Sequence, residues 1–80
     1  MNLVILSPEK EIYKGEVSSV KVPGTSGQFE VLNNHAPIVS SLEKGVAYIK
    51  PTQGEVMEIS IVKGFIEVLN NEVALLVQQS

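Results

Sequence analysis

The side chains able to do acid–base or nucleophilic work here are few and of few kinds. There is one imidazole, His35, among 80 residues. All nine acids are Glu, all six bases are Lys, and Asp, Arg, Cys and Trp are absent. A Ser-His-Asp triad is therefore impossible, and a Ser-His-Glu version would need Glu in the orienting role. No Gly-x-Ser-x-Gly nucleophile elbow occurs. One His with scattered Glu is a poor ligand set for zinc, and Cys-based sites are excluded. Neither a metal, a cofactor nor a catalytic residue is expected. His35 reads as a loop residue bonded locally or as part of an interface. Without Arg there is no planar fork for bidentate phosphate recognition. With net charge −3 and no basic cluster, nucleic acid is not an expected partner. Gly24-Thr25-Ser26-Gly27 has the outline of a GxxG clamp, but that clamp sits between helices, and no helix-period segment flanks it. No Gly-Lys-Ser/Thr follows, so it is not a phosphate-binding loop.

What must position these residues is a series of short strands. The run from Val22 to Pro37 reads turn, strand, turn, constrained exit. Pro23 fixes the chain entering the turn, Gly24 and Gly27 can supply positive φ, and Ala36 is pushed to extended geometry by Pro37. Such a shaped loop is a natural binding element. Turn signals recur about every 8–12 residues. They are Ser7-Pro8, Lys14-Gly15, Pro23 to Gly27, Asn33-Asn34, Lys44-Gly45, Pro51 to Gly54, Lys63-Gly64 and Asn70-Asn71. Between them lie β-branched and apolar runs, the pattern of an all-β sandwich or barrel.

Alternation is clearest from Val56 to Lys63, with Met57, Ile59 and Ile61 on one face. Phe65–Leu69 and Val73–Val77 are more apolar throughout. The latter is a buried strand or the first turn of a helix; its length and Val content favour strand. Met57, Ile59, Ile61, Phe65, Val73, Leu75 and Val77 are expected to be mostly buried. Glu-Val-Leu-Asn-Asn occurs twice, at 30–34 and 67–71, and reads as one hairpin device used twice, ending in Asn that tolerates positive φ. The mixed charges Glu9, Lys10, Glu11 and Lys14 read as a solvated edge.

Residues 1–80 are expected to form a single domain. A chain of this size buries roughly 60–65% of its unfolded surface. The absence of Cys suits a reducing compartment. Leu3 to Leu6 is too short for a signal peptide and lacks a basic start. No apolar run approaches the ~18 residues of a membrane helix.

The chain resembles the N-terminal domain of the epsilon subunit of bacterial and chloroplast F-type ATP synthase, called delta in mitochondria. The markers run in order along nearly the whole chain: Leu6-Ser7-Pro8, Ile12 to Val17, Val20 to Gly24, Gly27, Val31 to Pro37, Leu42, Gly45 and Lys63 to Val68. Each is weak alone; their order and spacing make the match specific.

The resemblance implies a ten-stranded β-sandwich of two five-stranded sheets. It implies a non-catalytic rotor part of the F1 complex, gripping the gamma shaft and resting on the membrane c-ring, so that proton flow is coupled to ATP synthesis. Membrane association would come only through the complex, at the cytoplasmic face of the bacterial inner membrane. Carried over by position, the c-ring contact is Pro23, Gly24, Thr25, Gln28 and Glu30, with Thr25, Gln28 and Glu30 at the loop tip. The gamma contact is Ser7, His35 and Ser40. Where the family commonly has Gly-Glu-Leu-Gly, this chain has Gly27-Gln28-Phe29-Glu30, so Glu30 stands in for an acid two residues earlier on the same strand face. The family usually continues into a C-terminal helical hairpin able to brake hydrolysis; this sequence stops at Ser80, where the hairpin would begin, which implies a domain without that brake. Two readings compete: a lipoyl or biotinyl carrier domain and a small hydrolase. The carrier reading lacks its lysine context, because Val62-Lys63-Gly64 and Ile49-Lys50-Pro51 match neither Met-Lys-Met nor Asp-Lys-Ala.

Overall fold

Period-2 alternation and β-branched residues build strands, and the computed structural model, which describes residues 1–79, contains strands and no helix. They are β1 (Asn2–Leu6), β2 (Glu11–Gly24), β3 (Gly27–Leu32), β4 (Ile38–Leu42), β5 (Gly45–Pro51), β6 (Met57–Leu69) and β7 (Glu72–Gln79). Antiparallel pairings join β1 to β2, β2 to β5, β5 to β6 and β6 to β7, and a parallel pairing joins β7 back to β1. These five strands therefore close a ring, which removes their open edges. β3 extends from β2, and β4 lies along β6, touching β2 only where Gly24 faces Leu42. The result is a sandwich closed along its sides.

The described strands number seven, where the resemblance implied ten. Two sequence signals explain part of the difference. Lys14-Gly15 and Lys63-Gly64 read as turns, yet both lie inside strands, β2 of 14 residues and β6 of 13. Neither glycine has positive φ. A Cβ on Gly15 would stand 2.9 Å from the Tyr13 hydroxyl, the end of a side chain that can move aside, but one on Gly64 would collide with the backbone carbonyl of Leu76. Glycine there permits close approach rather than a turn. The two long strands change partners along their length. β2 pairs β1 through Glu11–Glu16, then β5 from Val17 and β3 from Ser19.

The core is wholly apolar, with no buried polar or charged residue among the described ones. Leu3, Ile5, Ile49, Ile61, Ile66 and Leu75 are its largest fully buried side chains. Each contributes about 1.5–3 kcal/mol by leaving water. Ile59, Ile61, Val73, Leu75 and Val77 are buried as expected, and Met57 is half-buried against the core. Val73–Val77 is a strand.

Phe65 departs from expectation: it is 56% exposed, and Ile66 takes the core position. The pairing of β6 with β7 shifts register between Ile61 and Lys63, leaving Val62 extra. A bulge adds one residue to a period-2 strand, so every side chain beyond it changes face. Ile59 and Ile61 point inward before it, Ile66 and Val68 after it.

The two Asn-Asn pairs also differ. Asn70 and Asn71 have φ of 51° and 61° and close the tight β6–β7 hairpin. Asn34 has φ of 63°, but the loop it occupies joins β3 to β4, which do not pair with each other. The repeated pentapeptide is thus one hairpin and one crossover.

Candidate functional site

The β2–β3 hairpin is built to hold its shape. Gly24 pairs with Gly27 across a turn made by Thr25 and Ser26. Gly27 supplies the positive φ, 126°. Gly24 serves differently: it is buried, and a Cβ there would stand 2.6 Å from the Gly27 carbonyl oxygen and 2.8 Å from Phe29 Cε1. Phe29 is half-buried and packs on the core beneath the turn. Three bonds tie the hairpin to the end of β4. The Thr25 amide donates to the Ser41 carbonyl at 3.1 Å, and the Glu43 amide donates to the Pro23 carbonyl at 2.9 Å. The Thr25 and Ser41 hydroxyls lie 3.0 Å apart. Pro23 also leaves no room for a Cβ on Gly45.

Of the residues predicted for the ring contact, Thr25 is at the hairpin tip and exposed. Pro23 is half-buried and Gly24 is buried, so these two shape the hairpin. Gln28 and Glu30 are exposed but lie on β3 rather than at the tip, and Glu30 faces Lys21 across the ladder. Gln28, Glu30 and Leu32 share one outward face, as residues two apart on a strand must.

The three residues predicted for the gamma contact are separate. Ser7 lies in the β1–β2 turn, where its hydroxyl accepts from the Glu9 amide at 3.3 Å and the Lys10 amide at 3.2 Å. His35 is half-buried in the β3–β4 loop, its Nδ1 2.6 Å from the Ala36 carbonyl and its amide donating to Leu32 at 3.2 Å. Ser40 lies on β4 in register with Ile66, Leu75 and Ile5, all fully buried, so it occupies the inward face of the sheet. Its neighbours Val39 and Ser41 take the outward face.

Sequence reasoning missed an apolar row on the surface. Leu6, Leu76, Phe65 and Ser41 form one row across β1, β7, β6 and β4, and Val4, Ala74, Glu67 and Val39 form a parallel row on the same face. Leu76 is 46%, Phe65 56% and Val39 71% exposed. An open groove of about 560 Å³ runs beside Leu6, Ser7, Pro8, Phe65 and Leu76. On a domain this small, a contiguous apolar row is the mark of a covered surface. Its signal in the sequence was the apolar doublets Phe65-Ile66 and Leu75-Leu76: one member of each serves the core, the other the outside. Chemistry has no comparable focus. Among the described residues no cluster of three or more His, Cys, Asp or Glu is placed to hold a metal. No helix among them is long and apolar enough to cross a membrane.

Comparison with known proteins gives the family. The family model described as ATP synthase, Delta/Epsilon chain, beta-sandwich domain matches residues 1–80. The chain is 49% identical over 77 residues to the ATP synthase epsilon chain of Leptospira borgpetersenii serovar Hardjo-bovis, covering 95% of this chain and 59% of that one. It is 40% identical to the epsilon chain of Synechocystis, covering 91% and 53%, and 34% identical to the chloroplastic epsilon chain of Medicago sativa, covering 100% and 58%. The chain thus spans little more than half the length of these relatives. Its fold also matches a chain in the central stalk and c-ring of the Tetrahymena thermophila mitochondrial ATP synthase, with TM-score 0.85 at 19% identity over 99% of this chain and 63% of that one. A chain of the Euglena gracilis mitochondrial ATP synthase matches with TM-score 0.87 at 23% identity over 94% and 48%. The chain belongs to the ATP synthase delta/epsilon family, in its β-sandwich domain.

Proposed function

We propose that this chain is the sandwich of a non-catalytic rotor subunit of an F-type ATP synthase, joining the gamma shaft to the membrane c-ring. The observation that carries the reading is a rigid hairpin and an exposed apolar sheet face on one closed, wholly apolar core. A coupling between shaft and ring must transmit torque without deforming. The bonds from Pro23 and Thr25 to β4 suit that demand. On this reading the c-ring meets Thr25, Gln28 and Glu30, and gamma meets the face that includes Phe65 and Leu76; membership in the delta/epsilon family supports such partners. Ser7 borders that face, and His35 adds a loop contact at the end of the sandwich. Ser40 joins only through its backbone strand, since its side chain lies on the inward face. The subunit would sit peripherally at the cytoplasmic face of a bacterial inner membrane, held there by the complex.

The role is tested by proton pumping in membranes stripped of the chain and then resupplied with it. Resupply restores ATP-driven pumping and changes hydrolysis by the F1 complex little. Pumping that is equally strong without the chain contradicts the proposal. The ring contact is tested by Glu30→Lys combined with a lengthened 24–27 turn. Glu30→Lys alone is nearly silent, because an exposed ion pair is worth only about 0–1 kcal/mol. The combined change weakens rotor assembly; unchanged assembly would move the ring contact elsewhere.

A further inference from the structure

The repeated Asn-Asn pairs meet at one end of the molecule. The Asn34 amide donates to Asn71 Oδ1 at 2.8 Å, a bond between loops 37 residues apart in sequence. The Asn71 carbonyl accepts from the Asn2 amide at 3.2 Å. Asn33 Oδ1 accepts from the Met1 amine at 2.7 Å. The β3–β4 loop is therefore clasped from outside: β3 and β4 share no ladder, and His35 follows directly on the clasped residue. Asn71 has a left-handed backbone, φ 61°, which Asn tolerates while aiming its side-chain oxygen at a neighbouring amide.

We propose that Asn71 is a positioning residue for the His35 loop, holding His35-Ala36-Pro37 in the shape that the gamma subunit meets. The proposal rests on the reading of His35 as a gamma contact. It gives the second Asn-Asn pair a task beyond its own hairpin: its side chain completes the turn of the first. The Asn71 side chain acts through the Asn34 amide.

Three variants of the chain decide it: Asn71→Gly, Asn71→Asp and His35→Ala. Glycine accepts the same φ, so the hairpin survives while the acceptor is lost. Aspartate keeps both the acceptor and the tolerance for positive φ. The first measurement is amide hydrogen exchange. Asn71→Gly speeds exchange at Asn34 by about tenfold and leaves the amides of Ile66 and Leu75 unchanged, while Asn71→Asp preserves protection. The second is calorimetric affinity for purified gamma subunit. Asn71→Gly and His35→Ala each weaken binding by about three- to tenfold, and Asn71→Asp restores it. Unchanged Asn34 exchange in Asn71→Gly, with weakened binding by His35→Ala, overturns the clasp alone. Full affinity in His35→Ala overturns the gamma reading of the loop and the positioning role with it.

Discussion

At the scale of single residues, glycine and asparagine do distinct work in this chain. Gly27 and the Asn residues at 34, 70 and 71 adopt positive φ. Gly24 and Gly64 are needed because a neighbouring backbone occupies the space of a Cβ. The two mechanisms predict different responses. Gly64→Ala destabilises the domain by about 1–3 kcal/mol, because the Leu76 carbonyl belongs to a paired strand and cannot give way cheaply. Urea unfolding measures it, and a shift of less than about 0.5 kcal/mol would show that β6 and β7 separate freely there. Ile59→Asp unfolds the chain outright, since a carboxylate in a core with no polar partner cannot be satisfied. Circular dichroism of that variant shows loss of strand signal; a native spectrum would contradict the placement of Ile59.

Among the elements, the bulge at Val62 has the widest effect. It turns Phe65 outward and Ile66 into the core, in line with Leu76 and Leu75, whose faces follow from the unbroken alternation of β7. Inserting one alanine between Lys63 and Gly64 shifts the rest of β6 by one position and turns Ile66 and Val68 outward or forces β7 out of register. The expected loss exceeds about 3 kcal/mol, read by thermal or urea unfolding. An insertion variant as stable as the parent would mean that the faces of β6 are not set by the residue count across this bulge. This bulge also marks the limit of what the sequence discloses. The alternation from Met57 to Ile61, the buried β7 strand and the all-β class were legible from period-2 patterning. The face reversal was not, because an extra residue between two apolar runs leaves no compositional trace. The interior glycines failed as turn signals for a related reason: a Lys-Gly pair looks the same whether it supplies a turn or a close approach. At the candidate site, the rigid hairpin was legible from Pro23, Gly24 and Gly27. The inward face of Ser40 and the apolar row through Phe65 depend on cross-strand register, which only the folded chain supplies.

As a whole molecule, the chain is an apolar core inside a closed ring of strands, presenting a rigid hairpin and an exposed apolar face. The sequence has no Arg, no phosphate-binding loop and net charge −3, which offers little to hold a nucleotide phosphate. Calorimetry with ATP shows no saturable heat at micromolar concentration, and a micromolar isotherm would overturn this prediction. The proposed function is one of assembly, and assembly is directly measurable. The decisive measurement is affinity purification of the tagged chain from its own cells, with the co-purifying proteins identified and their stoichiometry counted. The gamma subunit is expected in one-to-one ratio together with the catalytic F1 subunits, and all of them are lost when Phe65 and Leu76 are both changed to Glu in a chain that still folds. Recovery of the folded chain alone, or with proteins outside the ATP synthase, would contradict it.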